Sequence, residues 1–179
     1  LKLVRDKNYF VITTNADGLF FKAGFDPDKI FATQGDCKLF QCEKSCHDTL
    51  YDNKEMITQM VEQQSDCRIP SELIPYCPVC GENLVAHLRI DGNFVENEDW
   101  NLGNQHFTNF VQQANNKKLV LLELGVGFNT TSIIRWPFEQ IAAANKDSTL
   151  IRVNKDHVEK TFDIPEKSIQ IKTDIAEFI

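Results

Sequence analysis

The sequence predicts an α/β fold in which a doubly wound parallel sheet carries a small inserted module. Short apolar runs that stop abruptly at polar residues alternate with segments of helical periodicity. The continuous apolar run 118–124 is typical of a central parallel strand that is buried on both faces. Residues 37–91 interrupt this alternation and contain all six cysteines. We therefore expect a large domain over 1–36 and 92–179 and a small domain over 37–91.

Length and composition narrow the possible function classes. A chain of 179 residues buries about 70% of its unfolded surface, which suffices for one core and a small second module. Its net charge is -7 and its 19 basic residues are scattered, so nucleic acid is not an expected partner. No apolar run approaches the roughly 18 residues of a membrane span, and the charged opening residues lack a signal-peptide core. We expect no membrane partner and a cytoplasmic location.

The first predicted strand, residues 9–14, stops at a polar turn that contains Asn15 and Asp17. A two-turn helix over 19–24 leads to a second strand, 29–33, which stops at Gln34-Gly35. If the two strands are parallel neighbours, both polar groups lie at one carboxyl edge, where α/β sheets bind ligands. For Asp17, an Asx turn that caps the following helix is the alternative.

The other predicted elements follow from periodicity, caps and breakers. Residues 1–5 resemble the end of a helix, so we expect that the N-terminal part of the fold is missing from this chain. Pro137 is expected near the start of its helix or at a kink. In chain order, the predicted elements are a helix over 52–64, a strand over 84–90, a helix from Asp99 or Asn101 to about Asn116, a strand over 118–124, a helix over 133–142, strands over 149–154 and 168–171, and a helix over 174–178.

Four cysteines form two close pairs, Cys42-x3-Cys46 and Cys77-x2-Cys80. This pair spacing suits tetrahedral zinc, and a segment with so little apolar material needs such a crosslink. A site with four thiolates has no open position for water, so the zinc would be structural. Two disulfides or isolated core thiols are the alternatives, and the neighbouring His47 could substitute as a ligand. We expect the two remaining cysteines, Cys37 and Cys67, to be buried thiols.

A glycine-rich turn, Gly125-x-Gly127, follows the central strand and precedes a helix. Small residues at this point let an anion approach backbone N–H groups, although such glycines often serve only the turn. Asn154 ends the following strand on the same edge, and an adenosine ribose could lie between them. The histidines His87, His106 and His157 are expected to be surface or hydrogen-bonded core residues.

Taken together, five features resemble the sirtuin family in order and spacing: Thr13-Thr14-Asn15-Ala16-Asp17-Gly18-Leu19, the Gln34-Gly35 step, the four cysteines, the glycine-rich turn and Val153-Asn154. The resemblance covers nearly the whole chain. It implies a Rossmann-like large domain, a zinc-bearing small domain and NAD as co-substrate. It further implies cofactor contacts from Thr14, Asn15, Asp17, Gln34, Gly125, Gly127, Asn129, Thr130, Asn154 and Lys155.

Three departures from the deacylating sirtuins matter for function. Gln34 stands where their catalytic histidine acts as a base, and an amide cannot accept that proton. Their segment that grips the acyl-lysine would fall near 91–93, where its residues are absent, and their Gly-Ala-Gly-x-Ser motif does not occur in the chain.

The first two departures, together with the runs 122–130 and 134–139, are similar to the class M, macrodomain-linked sirtuins. That resemblance implies a protein mono-ADP-ribosyltransferase with Asn15, Asp17 and Gln34 as its catalytic residues. Its acceptor would be a protein, with a lipoylated carrier protein as one candidate, and a macrodomain ADP-ribose hydrolase would be a partner. The alternatives are an NAD-dependent deacylase with a replaced base and a catalytically silent module that binds NAD or ADP-ribose.

Overall fold

The structure is a computed structural model that describes residues 1–115, 117–159 and 168–179. It divides into two compact units, Leu1–Phe107 and Thr108–Ile179. The strands are β1 (Val11–Thr13), β2 (Ile30–Ala32), β3 (Gly35–Cys42), β4 (Tyr51–Asp52), β5 (Leu84–Leu88), β6 (Leu119–Leu124), β7 (Ser148–Asn154) and β8 (Ser168–Lys172). The helices are α1 (Leu19–Lys22), α2 (Lys54–Gln63), α3 (Glu98–Gln113), α4 (Arg135–Ala144) and α5 (Ile175–Phe178).

In the first unit, β1 and β2 form the predicted parallel pair, with Val11 opposite Ile30 and Thr13 opposite Ala32. Apolar side chains of β2 anchor the pair, since Ile30 is 6% and Phe31 5% exposed. Both strands therefore end at the same edge, as their polar ends predicted.

The first unit also contains an antiparallel sheet with strand order β4-β3-β5. Its central strand, β3, was not predicted, because its sequence is largely polar and only Gly35 and the last three residues of the strand are buried. Gly35 begins this strand with φ +96°, and an added Cβ would lie 2.0 Å from the carbonyl oxygen of His87 on β5. Only glycine allows so close an approach of the two backbones.

In the second unit, β6, β7 and β8 form a parallel sheet in that order. Its core includes Leu121, Leu150 and Val153, which are 5%, 1% and 0% exposed. The helix α4 begins at Arg135, so Pro137 lies in its first turn, where the missing N–H costs no helical hydrogen bond. The predicted parallel pairing of the apolar run 118–124 is confirmed.

Several predicted boundaries differ from the structure. Residues 1–5 form turns around the Leu1 carbonyl, which accepts hydrogen bonds from the N–H groups of Val4 and Arg5. The helix α3 begins at Glu98 and ends at Gln113, and the predicted end at Asn116 lies outside the described residues. The division into domains at 36/37 and 91/92 stays a prediction. No described helix combines the length and apolar character that a membrane span requires.

Candidate functional site

The carboxyl ends of β1 and β2 are joined through two threonines. The backbone N–H and the hydroxyl of Thr33 both donate to the carbonyl oxygen of Thr13, at 3.0 and 3.2 Å. The hydroxyl of Thr13 accepts a hydrogen bond from the N–H of Asn15 at 3.0 Å. These bonds hold the turn that carries Asn15 beside the strand end that leads to Gln34.

Asp17 adopts the Asx turn that was the alternative interpretation. Its Oδ1 accepts a hydrogen bond from the N–H of Leu19 at 2.9 Å. The side chains of Asn15 and Asp17 are nevertheless exposed, and both line a cavity with Thr13, Ala32 and Gly35. One carboxylate can cap α1 through Oδ1 and still present Oδ2 to a ligand, so the two interpretations are compatible.

Gln34 is half-buried and does not line that cavity, and neither does Thr14. The backbone carbonyl of Gln34 accepts a hydrogen bond from the N–H of Arg89 at 3.1 Å. Within the residues that the structure describes, its side-chain amide makes no hydrogen bond. Three residues further on, the N–H of Cys37 donates to the carbonyl of Ala16 at 2.9 Å, which ties the start of β3 to the Asn15 turn. These bonds fix the backbone on either side of Gly35, and the Gln34 amide is without a hydrogen bond among the described residues.

The predicted nucleotide residues of the second unit surround the turn after β6. Gly125 has φ +66°, and an added Cβ would lie 2.8 Å from Cδ1 of Ile175, so the turn requires glycine. Asn154 is only 7% exposed, and its Nδ2 donates to the Val126 carbonyl at 3.0 Å. Its Oδ1 accepts hydrogen bonds from the N–H groups of Asp156 and His157. The side chain of Asn154 therefore shapes the turn from inside.

Four other predicted residues of this unit are accessible. Gly127 and Thr130 are half-buried, whereas Asn129 and Lys155 are exposed. In the described part of the chain, the backbone N–H groups of Gly127 and Asn129 donate no hydrogen bond. The turn thus offers free N–H donors, and Lys155 directly follows the neighbouring strand β7; both kinds of group suit an anion.

Two buried arginines behind this turn were missed by the sequence analysis. Arg152 on β7 is 1% exposed, donates to both oxygens of Glu123 on β6 and also pairs with Glu139 on α4. Arg135, also on α4, is 0% exposed and lies near this group, and burial is the main cause that lowers its pKa. The available signal was a charged residue inside each apolar strand, Glu123 in 119–124 and Arg152 in 148–154.

The four predicted zinc ligands meet in the first unit. The Sγ atoms of Cys42 and Cys80 are 3.5 Å apart, and those of Cys46 and Cys77 are 3.7 Å apart. With zinc–sulfur bonds of about 2.3 Å, the edge of a tetrahedron is about 3.8 Å. The arrangement of sulfurs therefore fits a tetrahedral ion.

His47 is a fifth donor at this cluster. Its Nδ1 lies 3.0 Å from Sγ of Cys46 and 3.9 Å from Sγ of Cys77, and with Cys42 these three residues form a group that could hold a metal. Its Nε2 contacts the hydroxyl of Tyr51 at 2.8 Å. The two sulfur–sulfur distances are close to the tetrahedral edge, so Cys80 stays the predicted fourth ligand and His47 the alternative donor.

The backbone favours the thiolate form of Cys42 and Cys77, whereas the pKa of Cys46 is raised, mainly by burial, and that of Cys80 is raised as well. Burial opposes the ionisation of Cys77, yet the N–H groups of Cys80 and Val79 lower its pKa to about 6. The pKa of Cys42 is also lowered, mainly by the N–H of Cys46. The other two cysteines, Cys37 and Cys67, are exposed. The expectation that they are buried thiols is wrong, because Cys37 lies in the exposed middle part of β3 and Cys67 lies in an exposed loop.

The sequence has relatives among known proteins, although no family model matches it. It is 33% identical over 178 residues to a Staphylococcus aureus (strain Mu50) protein named "Protein ADP-ribosyltransferase", covering 99% of this chain and 56% of that protein. It is 28% identical over 151 residues to a Fusarium oxysporum f. sp. cubense protein named "Probable bifunctional ADP-ribose hydrolase/ADP-ribosyltransferase", covering 80% of this chain and 25% of that protein. The chain thus spans about half the length of the first relative and a quarter of the second.

The fold is similar to those of solved Sir2 proteins. Sir2Tm bound to a propionylated peptide aligns with a TM-score of 0.60 and 21% identity, over 94% of this chain and 60% of that chain. Sir2 bound to acetylated peptide aligns with a TM-score of 0.57 and 20% identity over the same shares. A mutant Sir2 homologue in complex with ADP-ribose aligns with a TM-score of 0.56 and 16% identity, over 94% of this chain and 56% of that one. The predicted fold class is confirmed, since the chain shares its fold with these Sir2 structures.

Proposed function

We propose that this chain is part of an NAD-dependent protein mono-ADP-ribosyltransferase. The observation that carries the proposal is the amide residue Gln34 after β2, the parallel neighbour of the strand that leads to Asn15 and Asp17. An amide orients a ribose hydroxyl by hydrogen bonds but does not remove its proton. The relatedness to a protein named as an ADP-ribosyltransferase supports the same activity.

The proposed reaction breaks the bond between C1′ of the ribose and the nicotinamide nitrogen. Nicotinamide leaves with the electron pair of that bond, and a nucleophile of the acceptor protein forms a new bond to C1′ and releases its proton. Asn15 and Asp17 hold the carboxamide and the ribose at the reacting end, and the Asp17 carboxylate stabilises the positive charge that develops on the ribose. Gln34 holds a ribose hydroxyl. No step requires a base at position 34.

The turn after β6 would hold the rest of the cofactor. The free N–H groups of Gly127 and Asn129 suit a diphosphate, and Thr130 and Lys155 extend the polar surface. Gly125 permits the close approach of backbone that this requires. Asn154 contributes by shaping the turn after β6, and Thr14, next to Asn15, is a further proposed contact of the cofactor.

Protein acceptors are the substrate class that we propose, and a lipoylated carrier protein is the first candidate to test. One relative is named for both ADP-ribose hydrolase and ADP-ribosyltransferase activities. It supports a macrodomain-type ADP-ribose hydrolase as a functional partner. Zinc held by Cys42, Cys46, Cys77 and Cys80 would be structural, because four sulfurs leave no position for a substrate. A cytoplasmic location completes the proposal.

Incubation of the full-length protein with labelled NAD and candidate acceptors tests the activity. The acceptors include a lipoylated carrier protein, the same carrier without lipoate and an acetylated peptide. Label on an acceptor supports the proposal. Release of deacetylated peptide without protein labelling favours the deacylase instead. Binding of NAD or ADP-ribose with neither reaction favours a silent binding module.

A further inference from the structure

In the described part of the chain, the guanidinium of Arg135, behind the glycine-rich turn, forms no ion pair with a carboxylate. Arg135 is 0% exposed, and it donates to backbone carbonyls: Val126 at 3.3 Å, His157 at 3.2 Å and Glu159 at 2.6 Å. Its guanidinium carbon lies 4.5 Å from the ring centre of Phe128. The side chain of Arg135 thus forms hydrogen bonds with both turns, the one after β6 and the one after β7.

A buried arginine that binds only carbonyls is expensive to desolvate, which argues for a specific role. Arg152 beside it satisfies two glutamates, whereas Nε of Arg135 is buried with no hydrogen-bond partner in the described residues. A leucine or methionine of similar volume would fill the space at α4 without these costs. A hydrophobic residue cannot replace the hydrogen bonds that Arg135 donates to the carbonyls.

The Val126 carbonyl is held twice, once by Arg135 and once by Nδ2 of Asn154 at 3.0 Å. In a trans peptide, the carbonyl of one residue and the N–H of the next point in opposite directions. When the Val126 carbonyl points to Arg135, the N–H of Gly127 must point away from the buried cluster. Within the described residues that N–H donates no hydrogen bond.

We propose that Arg135 is a positioning residue that aims the N–H of Gly127 at the diphosphate of the bound nucleotide. The inference rests on the proposed NAD-dependent function and adds a residue to it. Arg135 touches neither the nucleotide nor the reacting atoms. It orients the peptide between Val126 and Gly127 before the nucleotide binds, so that binding does not have to order it.

The test compares Arg135→Lys with Arg152→Lys in the full-length protein. Lysine keeps the charge but not the planar fork that reaches several carbonyls. Arg152→Lys disturbs the same buried cluster through Glu123, Glu139 and the Glu159 carbonyl that both arginines bind, but it leaves the hydrogen bond of Arg135 to the Val126 carbonyl in place. Calorimetry measures the binding of ADP-ribose and of adenosine, which lacks the diphosphate, and thermal unfolding and zinc content report on the fold.

Arg135→Lys is expected to weaken the binding of ADP-ribose at least about tenfold, as for the loss of a hydrogen bond to a charged group. The affinity for adenosine is expected to stay unchanged. Arg152→Lys is expected to lower the melting temperature but keep the ADP-ribose affinity within about threefold of the wild type. Equal ADP-ribose affinity of folded Arg135→Lys and wild type overturns the positioning role alone. Failure of the wild type to bind ADP-ribose overturns the proposed function as well.

A measurement on the wild type decides the question if Arg135→Lys does not fold. Hydrogen exchange with and without ADP-ribose follows the N–H of Gly127, which is expected to become protected when the nucleotide binds. Unchanged exchange at Gly127 in a protein that binds ADP-ribose contradicts the proposal.

Discussion

Arg152 and Glu123 form a buried ion pair with two parallel hydrogen bonds, from Nε to Oε1 at 2.7 Å and from Nη2 to Oε2 at 2.9 Å. Their side chains are 1% and 0% exposed. They stand opposite each other in the register of β6 and β7. Glu139 of α4 adds a third charge at 2.8 Å from Nη2, so the pair connects the sheet to the helix that covers it.

Loss of the Glu123 charge should destabilise the protein strongly. Glu123→Gln keeps the shape of the side chain but leaves the Arg152 charge undercompensated in the core, and breaking such a pair costs about 3–5 kcal/mol. Denaturant unfolding monitored by circular dichroism measures the change. The matched control is Glu96→Gln, since the Arg89–Glu96 pair is 33% and 45% exposed and such pairs contribute about 0–1 kcal/mol. Similar losses in both variants would contradict the importance of burial.

Removal of the Asn15 amide should abolish ADP-ribosyl transfer. Asn15→Ala deletes an exposed side chain whose backbone N–H bond to Thr13 remains, so the fold and the zinc content should not change. Transfer of labelled ADP-ribose should fall by at least about a hundredfold, in line with the loss of a transition-state contact. Undiminished labelling by this variant would refute the assignment of the site.

Loss of one zinc thiolate should remove the metal and unfold the cysteine-containing segment. Cys77→Ser replaces a 2% exposed sulfur of the cluster, and serine is a poor zinc ligand. Metal analysis of the purified protein should give about one zinc per chain for the wild type and none for the variant. Cys67→Ser, at an exposed cysteine outside the cluster, should retain the zinc. Wild-type protein purified without zinc would show that the cluster is not a metal site.

Stability should depend on pH through His87. This residue is 3% exposed, its Nε2 donates to the Val95 carbonyl at 2.9 Å, and its Nδ1 has no partner in the described residues. Burial lowers its pKa below the usual 6.5, so the unfolded chain takes up the proton first as the pH falls. The stabilisation by neutral His87 is complete above pH 6.5 and is lost as the pH falls from there towards the folded-state pKa.

The comparison that isolates this effect is wild type against His87→Gln at about pH 7.5 and about pH 5.5. Glutamine can still donate to Val95 but does not titrate. The wild type should lose more unfolding free energy than the variant over this interval. His157→Gln, at an exposed histidine of the other unit, should follow the wild type. An equal loss in the wild type and His87→Gln would exclude His87 as the source.

The sequence by itself determined the parts of this protein that depend on local pattern. Apolar runs ending at polar residues predicted β1, β2, β6 and β7, because strand ends in a parallel sheet carry their polar groups to one edge. The spacing within the two cysteine pairs predicted that the four sulfurs lie close together, because such pairs are typical of tetrahedral zinc sites. Thr13-to-Leu19 and the cysteine pattern also identified the sirtuin resemblance, which the fold comparison confirms.

Only the tertiary structure decided the features that depend on distant residues. The strand β3 exists because β4 and β5 supply its hydrogen bonds, so its own polar sequence predicts nothing. Cys37 and Cys67 are exposed because the packing of β3 leaves its middle part at the surface and because Cys67 lies in an exposed loop. A glutamate and an arginine 29 residues apart become one buried ion pair when β6 aligns with β7, since pairing across a sheet has no local signal. The same folding places Arg135 behind the glycine-rich turn.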